Sequence, residues 1–202
     1  MFNIVYISQI AYNLCGDIME NVSNKDIFSK ALIELSKETK IKNINVIDIV
    51  EKSGLSRQTF YRNFYNIDDL IYYIHKKNVE PAHLAMERLN NSSSLSDLYI
   101  NLMDSNRNFY KQIISFNPNS PFVDRYIIET KKNMLIYTFN QNSQEILNNK
   151  VLYFDYNFYC IGYCTCLLQW LKDDKNLSAK EISESFKNLV PKSLFRFIKN
   201  KK

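Results

Sequence analysis

The residues with the most chemistry to offer lie in one short run, Arg57-Gln58-Thr59-Phe60-Tyr61-Arg62-Asn63-Phe64. Phe60 and Phe64 stand four residues apart, so on a helix both turn to the same inner side. Arg57, Gln58, Tyr61 and Arg62 are then left on the outer side. Arg and Gln make paired hydrogen bonds to base edges in a major groove, while Tyr and Arg reach phosphates. The spacing therefore predicts a DNA-reading helix with Arg57 and Gln58 on bases and Thr59 as a third base candidate. Tyr61 and Asn63 are placed for phosphates, and Arg62 for either. The competing reading of the same run is an ordinary amphipathic surface helix.

The flanking residues are those needed to position such a helix. Gly54 can adopt the left-handed conformation that ends one helix and turns into the next. Leu55 anchors that turn, and Ser56 is a good N-cap for a helix starting at Arg57. Upstream, Asn45 is a plausible N-cap with Asp48 three residues on, a variant of the capping box, and Val46, Ile49 and Val50 form an apolar stripe. Asn45 and Ser56 also join the phosphate candidates. Two short helices joined by a tight glycine turn make a helix-turn-helix. A longer helix precedes them from about Lys25 to Lys37, with Phe28, Ala31, Leu32 and Leu35 on its core face. From Lys37 to Arg62 there are six basic residues against three acidic ones, a local excess that suits a polyanion.

The run from Lys25 to Leu70 resembles the DNA-binding domain of TetR-family transcriptional regulators. The matching pieces are Ile27, Ala31-Leu32 and Leu35, then Asn45 to Val50, Gly54-Leu55-Ser56, Thr59 to Phe64, and Asp68-Asp69-Leu70 opening a fourth helix. The family usually has His where this chain has Asn63, and Lys where it has Ile67, which removes one expected phosphate contact. The resemblance implies a dimeric repressor of transcription that a small ligand releases from DNA. It also implies that the last two helices pair with their copies as a four-helix interface, a pattern that Trp170-Leu171-Lys172 and Ser178-Ala179-Lys180-Glu181 fit.

Whole-chain properties agree with a helical protein. At 202 residues the chain is long enough to bury roughly 70% of its unfolded surface. Only 3 Gly and 4 Pro leave little material for sheets with many tight turns. A net charge of +5 permits a nucleic-acid partner without demanding one. No signal peptide, membrane span, metal cluster or catalytic constellation is apparent, so no cofactor and no enzymatic role is expected. Cys160, Cys164 and Cys166 lack the spacing of a zinc site and read, with Cys15, as small buried residues of a reducing cytoplasm. His75 and His83 read as solvated or core-edge side chains.

Beyond the fourth helix, which Pro81 is expected to kink or divide, Asn91 to Ser94 is the clearest break in the chain. Helical patterns follow over Leu95 to Phe116 as two helices, and over Asp124 to Gln141, with a polar stretch expected to fray from Asn142 to Lys150. Val151 to Leu171 is apolar on nearly every side, which calls for cover from outside its own subdomain. Leu168 and Phe186 are the positions expected to hold a dimer. Among the 14 Tyr and 13 Phe, the side chains of Phe109, Tyr126, Tyr137, Tyr156 and Tyr159 are expected to line a site for an uncharged, apolar or aromatic effector.

These readings add up to an all-α fold of about nine helices. Residues 1–19 form an N-terminal extension in which Met19 is the expected true start. Residues 20–70 form a three-helix DNA-binding domain with the helix-turn-helix, and residues 71–202 a larger helical ligand-binding and dimerisation domain. The partners expected are a double-stranded DNA operator of inverted-repeat form, a second copy of the chain and a small effector, with no membrane. An alternative stays open, in which a regulator of the same fold acts through protein contacts with weak or no operator binding.

Overall fold

The computed structural model describes residues 23–89, 92–116, 121–139, 144–173 and 177–198; the N-terminal extension and its start lie outside them. Ser23 opens α1 (Asn24–Glu38) with a capping box: its hydroxyl accepts from the Asp26 amide while the Asp26 carboxylate accepts from the Ser23 amide. A 3-10 turn at Ile41–Asn43 leads into α2 (Val46–Ser53), α3 (Arg57–Asn63) and the long α4 (Ile67–Leu89). The body continues with α5 (Ser92–Ser105), α6 (Arg107–Phe116) and α7 (Pro121–Asn133), which runs on into a π-helical turn at Met134–Thr138. The short α8 (Gln144–Asn148), α9 (Lys150–Lys172), α10 (Ala179–Asn188) and a 3-10 segment at Lys192–Phe197 complete it. Every regular element among the described residues is helical, and nine of the ten α-helices have seven residues or more.

Three expectations of element structure need correction. Pro81 does not divide α4, although it removes one hydrogen bond from the helix ladder. Val79 and Ala82, on either side of it, are fully buried, and α4 packs along α5, so tertiary contacts carry the helix through. The polar stretch from residue 142 contains α8, held down by the fully buried Ile146. Cys166 is exposed, whereas Cys160 and Cys164 are buried, and burial pushes both of those thiols up to about 12.

Two hydrophobic clusters hold these elements. The smaller gathers Phe139, Ile146, Leu152, Tyr156, Val190 and Leu194 at the end of the body formed by α8, the start of α9 and the last 3-10 segment. The larger runs without a break from Phe28, Ile49 and Phe60 in the first helices, through Leu70 and Ile74 of α4, to Tyr110, Tyr126, Leu167 and Phe186. His75 belongs to this interior, contrary to its core-edge expectation: it is 4% exposed, and its Nδ1 lies 2.9 Å from the Tyr110 hydroxyl. Polar ties span the same junction. Gln112 of α6 donates to the Ser36 carbonyl (2.9 Å) and accepts from the Ile41 amide (3.0 Å). Arg125 of α7 pairs with Asp69 at 2.9 Å and lies over the Tyr72 ring.

Candidate nucleic-acid interface

The turn between α2 and α3 forms for local reasons. Asn45 caps α2 by accepting from the Ile47 and Asp48 amides, and Asp48 returns a carboxylate to the Asn45 amide at 2.8 Å. Gly54 closes α2 with φ +69°, where any other residue would be strained. An added Cβ would meet nothing within 4 Å, so conformation rather than space requires glycine. Ser56 then caps α3 by accepting from the Thr59 amide at 3.0 Å.

Phe60 and Phe64 set the rotation of α3. Phe60 is fully buried and meets Phe28 edge to face at 5.2 Å, and Phe64 closes on Phe28 and Tyr73. Burying one such ring stabilises by about 1.5–3 kcal/mol, so two of them hold the helix axis firmly. Arg57, Gln58, Tyr61 and Arg62 consequently point to solvent as one contiguous polar face. Thr59 is half-buried, its hydroxyl 2.8 Å from that of Ser56. Asn63 is also half-buried, and its amide donates back to the Thr59 carbonyl at 2.8 Å, a contact within the helix. Ile67 packs against the larger core at the foot of α4.

Tyr65 was not singled out by sequence. It follows the inward Phe64, is 84% exposed, and extends the outer surface at the C-terminal edge of α3. The outward phase next to a core phenylalanine is the signal that identifies it. Ile47, exposed in the first turn of α2, lies beside the Asn45 cap in the same way.

Four of the five aromatic effector candidates are divided between the two clusters. Phe109 and Tyr126 belong to the larger, Tyr156 and Tyr159 to the smaller. Hydroxyls of this set are engaged within the chain: Tyr126 donates to the Met103 sulfur at 4.0 Å, Tyr156 to the Lys131 carbonyl at 2.6 Å and Tyr159 to the Phe186 carbonyl at 3.0 Å. Burial raises the pKa of Tyr126, Tyr156 and Tyr159, which keeps all three protonated. Tyr137 lies half-buried in the π-helical turn. Phe109 lines a groove of about 700 Å³ between α1 and the α5–α6 junction, together with Ile33, Lys37 and Lys111. Among the described residues no cluster of His, Cys, Asp and Glu is arranged to hold a metal. No helix there is long and apolar enough to cross a membrane.

A helix-turn-helix joined by a shared core to a larger helical body defines a class of transcription regulator. A family model described as the transcriptional regulator C-terminal region, of the TetR type, matches residues 90–192, about half of the chain and the half that the helix-turn-helix does not reach. The chain belongs to the TetR family of transcriptional regulators. Among solved structures, the dihydroxyacetone kinase operon activator DhaS has a similar fold, with a TM-score of 0.61 over 88% of this chain and 99% of that one. The two are 19% identical, so the likeness speaks for the fold alone. No match is found among curated proteins.

Proposed function

We propose that this regulator binds DNA sequence-specifically as a homodimer in the cytoplasm, reading an inverted-repeat operator through α3, and that it represses transcription until a small apolar or aromatic effector releases it. In this reading residues 20–70 serve the DNA and residues 71–202 the effector and the dimer. The observation that carries it is the orientation of α3, whose phenylalanines are locked inward and whose Arg57, Gln58, Tyr61 and Arg62 are turned out together. A two-fold dimer would present two such faces to successive major grooves.

The dimer is supported by a different face from the one expected at Leu168 and Phe186. Both of those side chains are buried within the chain's own core, on the side of α9 and α10 that faces the body. On α9 Val151, Phe154, Phe158 and Ile161 are exposed and spaced as one stripe, Tyr153 is exposed beside it, and Leu189 and Phe195 are exposed near the C-terminus. The outward positions of α10 are Lys180, Glu181, Glu184 and Asn188, so α9 supplies most of the apolar contact.

Fluorescence anisotropy on duplexes from upstream of the protein's own gene tests the DNA reading. Arg57→Ala should cost about 1–3 kcal/mol on the operator and little on scrambled DNA. Equal losses on both would refute the assignment of Arg57 to bases. A second reading, an activator working through protein contacts, is favoured by Ile67 standing where a cation would meet phosphate. Failure of the wild-type dimer to bind any upstream duplex would favour it.

A further inference from the structure

We propose that Tyr61 is a positioning residue for Arg57, its ring holding the guanidinium on the outer face of α3. The inference rests on the reading of α3 as the DNA-reading helix. Arg57 and Tyr61 stand four residues apart, hence on adjacent turns of one face. The guanidinium carbon lies 5.7 Å from the centre of the Tyr61 ring, within the range of a cation–π contact. The ring is itself held, edge to face at 5.5 Å and 87°, by Phe60, which is fully buried. Order thus passes from the core to Phe60, from Phe60 to the half-exposed Tyr61 ring, and from that ring to Arg57. Arginine is otherwise a long side chain with much rotamer freedom to lose on binding, and docking it on a fixed ring removes part of that cost in advance. The hydroxyl of Tyr61 lies at the far edge of the ring and does no part of this work. One residue therefore has two separable roles, the ring setting sequence preference through Arg57 and the hydroxyl meeting phosphate.

Two substitutions separate them. Tyr61→Phe keeps the ring and removes the hydroxyl, so it should weaken operator and scrambled duplexes alike and leave the ratio of their affinities unchanged. Tyr61→Leu removes the ring and should lower that ratio about two- to fivefold, the range of an exposed cation–π contact. In an Arg57→Ala background Tyr61→Leu should lower the ratio no further. A Tyr61→Leu ratio equal to wild type, an equal fall for Tyr61→Phe, or the same fall without Arg57 would each overturn the proposal. Proton NMR of the DNA-free protein provides an independent arm, in which the Arg57 Nε–H of wild type and Tyr61→Phe should carry a ring-current shift that Tyr61→Leu lacks. Identical Arg57 resonances in all three would overturn the proposal whatever the DNA result. A wild-type protein with no operator preference would remove the DNA reading and this assignment together, which the NMR arm distinguishes from a failure of the ring contact alone.

Discussion

Acid should destabilise this protein through His75. The imidazole is enclosed by the rings of Tyr72, Tyr110, Phe122 and Tyr126, with centroids 5.7, 5.8, 5.5 and 5.4 Å away, and its one polar contact described is the Tyr110 hydroxyl. Burial pushes its pKa down from 6.5 to about 3, and the charges of His83 and Lys76 push the same way. The folded state therefore keeps His75 neutral, while the unfolded chain takes up a proton below about pH 6.5. The contribution is complete above that pH and declines as pH falls, by about 1.4 kcal/mol per unit, until the folded pKa is reached. Between about pH 7.5 and about pH 5 the loss comes to about 2 kcal/mol. His75→Gln, which retains a polar partner for Tyr110, removes this titration and leaves carboxylates and His83 common to both proteins. Urea unfolding of both at several pH values and one fixed protein concentration measures the difference. Curves of stability against pH that run parallel for the two proteins would refute the reasoning.

Phe158→Glu places a charge on a side chain that is 72% exposed, so it should give folded monomers by sizing with light scattering, whereas Leu168→Glu should unfold the chain. Gly54→Ala should cost about 1 kcal/mol in urea unfolding from the φ of +69° alone; unchanged stability would show that the turn relaxes at no cost. Gln112→Ala leaves the Ile41 amide and the Ser36 carbonyl without their side-chain partner. It should cost about 1–3 kcal/mol and speed hydrogen exchange at Ile41, and unaltered exchange there would count against the tie.

The helix-turn-helix was legible because its signals are local. Asn45 with Asp48, Gly54 and Ser56 each act within a few residues of their own positions, and the spacing of Phe60 and Phe64 fixes a helix face without knowledge of what covers it. The body was legible as helices but not as faces. In α9 apolar residues occur all round, so periodicity cannot tell the inward Leu168 from the outward Phe158; the choice is made by α6, α7 and α8 packing against it. His75 was misread for the same reason, since three of the four rings that enclose it come from α6 and α7, between 35 and 51 residues further on. Asn63 looked available for phosphate because its type and place permit it, yet its amide turns back to Thr59.

The unbroken hydrophobic cluster from Phe28 through Leu70 to Tyr126 makes the helix-turn-helix end a limb of the molecule and not a tool fitted to it. Cut free before Leu70, it would lose part of the interior that keeps Phe28 and Phe60 dry. Grafted onto a foreign body, it would need a matching surface under α4. If α3 reads DNA as proposed, a change of operator is open to this chain mainly by recoding Arg57, Gln58 and their exposed neighbours, where no buried residue has to change in step. Loss of stability anywhere in the body, by contrast, would be felt at the helix-turn-helix, because no separately folded fragment would remain there.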